Sequence, residues 1–452
     1  MTTFQNISYV FARSGQQLII SVFNTSYASL FLTVVAGLSM AATASALALA
    51  KFLNLLTVLF LQPVLLSVAE KLKWGRYRSM FLLCPIISFI GHLLMQSSLV
   101  LAIPDGAKVT VVIIGYLLLN ISMDLHQTVL NALNQTMVPV NKRFMMQSLM
   151  NVVNNVVGTV LGFAMLPIIY HVGKVEQING PGMTVIVIIY NVINIIVSIA
   201  LFKATENVNM DGGSKPEKIQ LLSVIKLIFT NRNVAGVFWG QSLSNAGNFA
   251  WLSVFSFVFL YYYKDSAMLS AYNGWSKAIA IVASLVTVAL ASKLRPKVAN
   301  IISYIGAAAS YLFIFFFAKN PLVAMIFVLI ASMFHALNWS PTMPMYSEAS
   351  EYTRWKTGEN VTAVVFSVQQ VNFKLASYIS AISVSALAWI GFSATDELTH
   401  TPEILGNMKA IATLIPAGFY VLALICYLIL HNITPAKMEI ARKELAEREP
   451  VE

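Results

Sequence analysis

Chemistry in this 452-residue chain is confined to a few polar side chains set inside long apolar runs. Of its 19 acidic residues, one, Asp124 in Ser122-Met123-Asp124-Leu125-His126-Gln127, lies deep within such a run. Three of the 29 lysines and arginines do the same: Lys51, Lys277 and Lys374. A charge in hydrocarbon is costly and persists where it pairs, meets water, or handles a solute or a proton. Asp124 is therefore the first candidate for a substrate or proton site; its plainer role is a hydrogen-bonded acid that holds helices together. Lys374, central in its run, is a countercharge for Asp124 or a donor to solute oxygens. Lys51 and Lys277 are long enough to reach an interface from some depth. His126 can join Asp124, whereas His92 and His335 read as hydrogen-bonded packing histidines.

Neutral polar groups repeat at helical spacing in three places. One stripe carries Gln17, Ser21 and Asn24. A second carries Asn151, Asn154, Asn155, Gly158 and Gly162. A third carries Gln241, Ser244, Asn245 and Asn248. Such stripes either line a polar cavity or bond helices to one another. The amides favour a cavity for a hydroxyl-rich solute, and the Gly158/Gly162 pair favours close helix packing. Trp339 is placed to stack on a sugar face or to pack between helices. Against this, no His/Cys metal spacing, phosphate-cradling glycine loop or Ser-His-Asp set occurs. The chain is not expected to be an enzyme, to hold a cofactor or metal, or to hydrolyse nucleotide.

The elements that must position these groups are membrane helices. Residues are 58% hydrophobic and 11% charged, against about 25% charged in soluble domains, and the mean hydropathy is +0.73. Twelve apolar runs are long enough to cross a bilayer: 17–35, 41–68, 80–103, 109–133, 144–171 and 183–202, then 234–263, 268–292, 299–318, 321–346, 361–390 and 408–430. Among the 29 cations, 21 fall in one set of loops, five in the opposite set and three inside runs. The positive-inside rule then predicts that both termini and the central linker are cytoplasmic. It also explains the net charge of +10 without nucleic acid as a partner. Cys84 and Cys426 lie in apolar runs and read as small hydrophobes. The stretch from Met1 to Phe11 has no cleavable-signal pattern. The expected organisation is an N-terminal six-helix half (1–204), a cytoplasmic linker with an amphipathic helix near 217–230 (205–233), a C-terminal six-helix half (234–432) and a cytoplasmic tail (433–452). Gly15-Gln16-Gln17-Leu18 and Gly240-Gln241-Ser242-Leu243 form a short internal echo between the halves.

The stretch Met345-Tyr346-Ser347-Glu348-Ala349-Ser350-Glu351-Tyr352-Thr353-Arg354-Trp355-Lys356-Thr357-Gly358-Glu359 resembles the loop between helices 10 and 11 of the glycoside–pentoside–hexuronide:cation symporter family. Paired acids three apart, an aromatic and Lys-Thr-Gly carry the likeness. Trp339, Ser367-Val368-Gln369 with Lys374, Trp74-Gly75-Arg76-Tyr77-Arg78, Thr230-Asn231-Arg232-Asn233 and Ile415-Pro416-Ala417 extend it over nearly the whole chain. Asp124 resembles the sugar-contacting acid of the family's helix 4. Three family features are missing. The helix 2 Asp-x-x-x-Asp-Pro motif is replaced by the carboxylate-free stretch from Lys51 to Gln62-Pro63. The helix 1 acid is replaced by Gln17 or its neighbour, and the helix 5 arginine falls at about Asn151.

The resemblance implies an all-α membrane protein with 12 transmembrane helices in two pseudo-symmetric halves, the major facilitator fold, working by alternating access in a bacterial cytoplasmic membrane. Its expected partner is a small-molecule solute, a glycoside or oligosaccharide, with a proton as the candidate coupling ion. Sodium needs several hard oxygen ligands, usually with a carboxylate, and helix 2 offers only neutral ones. Solute contacts are expected from Asp124, Lys374, Gln17, Asn151, Asn248, Gln369 and Trp339, and gating charge pairs between the halves from Glu348, Glu351, Arg354 and Lys356. An exporter of amphiphiles on the same fold, and a sensor or assembly partner that no longer transports, are the alternatives.

Overall fold

The computed structural model describes residues 2–23, 25–69, 71–139, 142–208, 221–291, 295–358 and 362–448, and in some helices the backbone without the side chain. Among these residues all regular structure is helical. The N-terminal half contains α1 (Thr3–Phe11), α2 (Ser14–Phe23), α3 (Ser26–Leu30), α4 (Met40–Leu56), α5 (Gln62–Ala69), α6 (Arg76–Gln96), α7 (Asp105–Thr136), α8 (Arg143–Gly173) and α9 (Gly180–Ala204). After the linker helix α10 (Leu221–Thr230) come α11 (Arg232–Phe257), α12 (Ser266–Ala291), α13 (Pro296–Phe317), α14 (Pro321–Leu337), α15 (Trp339–Thr357), α16 (Thr362–Ser380), α17 (Ile382–Trp389), α18 (Pro402–Leu430) and α19 (Pro435–Arg448).

Each expected span coincides with one helix or with a run of consecutive helices. Among the described residues nine helices are long and apolar enough to cross a membrane, or ten if the bent pair Thr3–Phe23 and Ser26–Val35 counts as one span. The linker helix begins at Leu221; residues 209–220, including Asp211 to Pro216 and the expected start of the amphipathic helix, lie outside the described residues.

Local sequence explains where the helices start and stop. Thr2 and Gln5 form a reciprocal capping box at α1. Ser39, Asn179 and Asn320 cap α4, α9 and α14 through side-chain oxygens that accept backbone N–H bonds. Gly358, at φ 73°, ends α15 in a left-handed turn that favours glycine. Three spans contain single π-helical turns, at Phe31–Val35, Thr57–Leu61 and Val258–Tyr262. Such turns mark places where helical packing is interrupted, frequently near functional sites.

The echoed tetrapeptides occupy matching structural positions. Gln16 Nε2 on α2 donates to the backbone oxygen of Met123 on α7 at 3.2 Å. Gln241 on α11 accepts from the Thr342 hydroxyl on α15. In each half, therefore, the glutamine of the first span reaches the fourth. The preceding glycines differ: a Cβ at Gly15 would meet the Asn194 backbone of α9 at 2.4 Å, whereas one at Gly240 would meet the Tyr304 hydroxyl of α13 at 3.2 Å and Tyr427 of α18 at 3.4 Å. The first spans of both halves also carry a π turn towards their far ends.

By packing, the chain divides into two compact units. The first comprises Met1–Ser214, Leu252–Ile281 and Ala381–Ala412; the second comprises Lys215–Trp251, Val282–Ser380 and Thr413–Glu452. The boundaries fall inside α11, α12 and α18 and between α16 and α17. Part of the first unit's core is a cluster of Phe81, Leu125, Val129, Leu133 and Leu201, all fully or nearly buried.

Candidate functional site

Asp124 occupies the middle of α7, between two residues that fix its helix. Its backbone oxygen accepts from Thr128 Oγ1 at 3.0 Å and lies 3.5 Å from Gln62 Nε2, while Gln62 Nε2 donates to Thr128 Oγ1 at 2.9 Å. Carboxylate oxygen Oδ2 is shielded from solvent. The neighbouring Met123 carbonyl receives the Gln16 amide. Gln16 is buried and Gln17 is partly exposed, and of the two adjacent glutamines the first binds the Asp124 helix. Gln62, at the position of the missing family carboxylate next to Pro63, is also drawn to this helix. Asn54, about two helical turns earlier, donates to Asn120 Oδ1 at 3.2 Å.

His126 does not share hydrogen bonds with Asp124. It is buried with its ring 5.8 Å from that of Phe81, edge to face. His92 bonds Gln96 at 3.2 Å and Asn191 at 2.9 Å, and His335 bonds Tyr420 at 2.9 Å. Both are packing histidines with partners, in keeping with the sequence reading.

A second polar region in the first unit was not among the sequence candidates. Two residues of the broken first span, Ser26 and Ser29, meet the end of α11. The Ser26 and Ser256 hydroxyls bond each other, the Ser256 backbone N–H donates to Ser26 Oγ at 3.0 Å, and Ser29 Oγ donates to the Ser253 carbonyl at 3.4 Å. Beside this seam lies a small cavity, with room for about one water molecule, lined by Phe23, Thr25, Ala28, Ser29, Leu47, Lys51, Tyr116, Ser253 and Val384. Lys51 is 7% exposed: its side chain is held in the interior and does not extend to an interface. The signal for this site was in the sequence as a mid-run lysine and a Ser/Thr-rich first span, but hydroxyls at 25, 26 and 29 carry no stronger pattern than ordinary helix packing.

The glycine pair packs as its spacing predicts. A Cβ at Gly162 would stand 2.9 Å from the Asn273 backbone oxygen, and one at Gly158 would stand 3.3 Å from Lys277 Cγ. The α8 backbone thus lies directly on α12, with the Lys277 stem along it. Asn273 donates in turn to the Tyr27 hydroxyl. Asn151, on the same helix, is exposed.

The α11 stripe has a different fate from the one its composition suggested. Gln241, Ser244 and Asn245 are buried and serve as interhelical bonds: Asn338 Nδ2 donates to Ser244 Oγ at 2.8 Å, Asn245 Nδ2 to Asn372 Oδ1 at 3.0 Å, and Asn372 Nδ2 to the Phe238 carbonyl at 3.0 Å. The structure therefore corrects the cavity-lining expectation for these three; only Asn248 of the stripe remains partly exposed. Lys374 is partly buried on α16. The side chains of Trp339 on α15 and Gln369 on α16 lie outside the described residues, as do Asn24 and Glu359.

At the end of α15 the acidic pair meets the C-terminal helix. Arg442 Nε of α19 donates to Glu351 at 2.9 Å in an ion pair, and Trp355 Nε1 donates to Glu444 at 2.8 Å. Lys356 stands over the Tyr352 ring at 5.3 Å. Burial raises the Glu348 carboxyl above the usual range; Arg442 opposes the rise and Glu351 adds to it.

Comparison with known proteins decides what this helical frame is. The profile of the family described as MFS/sugar transport protein matches residues 8–434. The chain belongs to that family. This sugar transport family member also shares its fold with solved transporters at low identity. They include the nucleoside transporter NupG (TM-score 0.66, 10% identity, 96% of this chain and 100% of that one). The xylose transporter XylE from E. coli in its inward-open conformation is similar (0.65, 15%, 98% and 99%). So is a bacterial homolog of the human lysosomal transporter Spinster (0.62, 11%, 100% of each). A search of curated proteins gave no matching sequence. The all-α membrane protein expected from the apolar runs, with the major facilitator fold that the family resemblance implies, is what is found, and it is a transporter and not an enzyme.

Proposed function

We propose that this chain moves a small hydroxylated solute of the sugar class, a glycoside or oligosaccharide, across a bacterial cytoplasmic membrane by alternating access of its 1–204 and 234–432 halves. The observation that carries the reading is the interior of the first unit in a sugar transport family chain: a shielded carboxylate, Asp124, on a helix held by Gln16 and Gln62, and a separate hydroxyl-lined cavity at Lys51. Asp124, Lys374, Gln17, Asn151, Asn248, Gln369 and Trp339 are the proposed solute contacts. Both termini are cytoplasmic in this reading, on the strength of the cation count in the loops.

Transport runs without sodium, proton-coupled through Asp124 or facilitative. The helix 2 positions that would bind a cation hold Gln62 and Asn54, and both amides donate hydrogen bonds to α7 groups, which leaves no carboxylate for a hard cation there. Glu348, Glu351, Arg354 and Lys356 form a cytoplasmic gate in which α19, tied to Glu351 through Arg442, takes part.

Uptake of radiolabelled mono- and disaccharides into proteoliposomes, in sodium, potassium and choline buffers, tests the reading. Equal uptake in all three is expected. A sodium stimulation of about tenfold, equivalent to about 1.4 kcal/mol of coupling, would show a cation site elsewhere, and absence of uptake for every sugar would remove the transport assignment to this class.

A further inference from the structure

The first compact unit holds residues from both sides of the linker. It takes in Leu252–Ile281 and Ala381–Ala412, which are the end of α11, most of α12, α17 and the start of α18. Within it α3 and α8 meet α11 and α12, and the contacts between them are made by small neutral groups.

On one flank α3 supplies Ser26, Tyr27 and Ser29, none more than 1% exposed. Ser26 bonds Ser256 through the two hydroxyls, and Ser29 reaches the Ser253 carbonyl. The Tyr27 hydroxyl accepts from Asn273 of α12, and its ring meets that of Phe255 edge-on at 5.8 Å. On the other flank α8 lies on α12 with a glycine facing each way. An added Cβ at Gly162 of α8 would stand 2.9 Å from the Asn273 oxygen and 3.2 Å from the Gly274 nitrogen. An added Cβ at Gly274 of α12 would stand 2.2 Å from the Phe163 ring. Asn273 joins the two flanks: its side chain holds α3 and its backbone lies on α8.

This joint has two properties that a gate needs. Glycines let helix backbones touch, so the contact closes without bulky side chains. The bonds across it are neutral, and hydroxyls or amides released on opening are rebonded by water, so breaking them strands no buried charge.

We propose that this seam is the outer gate of the transporter, on the side that the loop cations place away from the cytoplasm, and that it is closed in this structure. The reciprocal contact of Gly162 and Gly274 sets how completely it closes: one methyl group at either position holds it open to the outside. This rests on the reading of the chain as an alternating-access transporter and names the contacts that shut one side.

The test uses the full-length protein with both native cysteines replaced, Cys84→Ala/Cys426→Ala, in right-side-out membrane vesicles. The reporter is Ser253→Cys, at a position 7% exposed in the closed seam, and its reaction with a membrane-impermeant thiol reagent is timed. The parent reporter should label slowly and to completion, because an outer gate opens at intervals. A reporter that never labels overturns the proposal whether or not any variant folds. Gly162→Ala should speed labelling roughly tenfold by shifting the population towards the open state. Gly274→Ala should do the same, and adding Phe163→Ala, which removes the ring that the new methyl group meets, should return the rate to that of the parent. Unchanged labelling in folded Gly162→Ala and Gly274→Ala proteins overturns the proposal. In a separate protein, Ser26→Cys/Ser256→Cys, oxidation to the disulfide should stop uptake of radiolabelled mono- and disaccharides, and reduction should restore it. Full uptake through the cross-linked protein means that the gate fails and the transporter reading stands. If the parent takes up no sugar while the alanine variants open Ser253→Cys to the reagent, the sugar reading fails and the gate stands.

Discussion

The two halves place the same glutamine at the start of their first span and use it differently. Gln16 reaches the carbonyl next to Asp124, and the surrounding unit holds two mid-helix lysines and a cavity with hydroxyl walls. Gln241 is bonded by Thr342, and around it Ser244, Asn245, Asn338 and Asn372 share neutral, buried hydrogen bonds between helices. The difference teaches how to separate two kinds of polar residue in a membrane. A polar group whose bonds are completed by other helices is structural; one left beside a space, or carrying charge, is available to a solute. Composition is nearly the same in both stripes, so the partner decides.

Four substitutions sharpen or break that division, the largest effect first. Asp124→Asn keeps the shape and removes a charged acceptor. Charged hydrogen bonds contribute about 1.5–3 kcal/mol, so solute affinity should fall roughly tenfold to a hundredfold with thermal stability kept. Equilibrium binding on the purified variant checks this, and normal affinity together with normal accumulation would take Asp124 out of the mechanism.

Next comes the neutral region. Asn245→Leu strands the Asn372 carbonyl oxygen and should cost about 1 kcal/mol, between the penalty for an orphaned polar group and the smaller values measured between membrane helices. Thermal melting should show a lower Tm with solute affinity unchanged. A loss of affinity at unchanged Tm would move Asn245 into the solute path and erase the contrast between the halves.

Arg442→Gln removes the ion pair that ties α19 to Glu351. Both partners are well exposed, so the loss should be under about 1 kcal/mol and should shrink further in high salt. Limited proteolysis of the C-terminal segment, with and without salt, reports it; full protection in the variant would mean that Trp355–Glu444 and apolar contacts alone hold the helix.

The smallest effect concerns Glu348. Its carboxyl is raised by burial, with Glu351 adding and Arg442 opposing. A raised carboxyl favours the protonated folded state, so its contribution is fully present below the ordinary carboxylate value and is lost as pH rises through the folded one. Glu348→Gln should therefore leave stability unchanged in acid and raise Tm slightly, by on the order of 1 °C, at neutral pH. A Tm that falls at neutral pH would show that the charged form is the one the fold uses.

Much of this molecule was legible in its residues. Hydrocarbon cannot hydrogen-bond the backbone, so runs of some 20 apolar residues must be helices, and the expected spans agree with the observed helices. Gly158 and Gly162 were read as packing glycines because spacing alone puts them on one face, and their contact with Asn273 and Lys277 follows. The tetrapeptide echo was legible as four residues and became convincing when Gln16 and Gln241 were seen to reach equivalent helices.

What sequence could not settle was which face each polar stripe turns to and what it meets there. Helical periodicity shows that Gln241, Ser244 and Asn245 share a side but carries no information about a neighbour 94 to 127 residues away in the chain. The same limit hid the Lys51 cavity, whose walls come from six helices, α2, α3, α4, α7, α11 and α17. One-dimensional spacing fixes an angle about a helix axis, and side-chain reach allows Lys51 to be pictured at an interface or in the core. Only the packing of α4 against its neighbours made it a buried charge beside hydroxyls, and that is a property of the assembled interior.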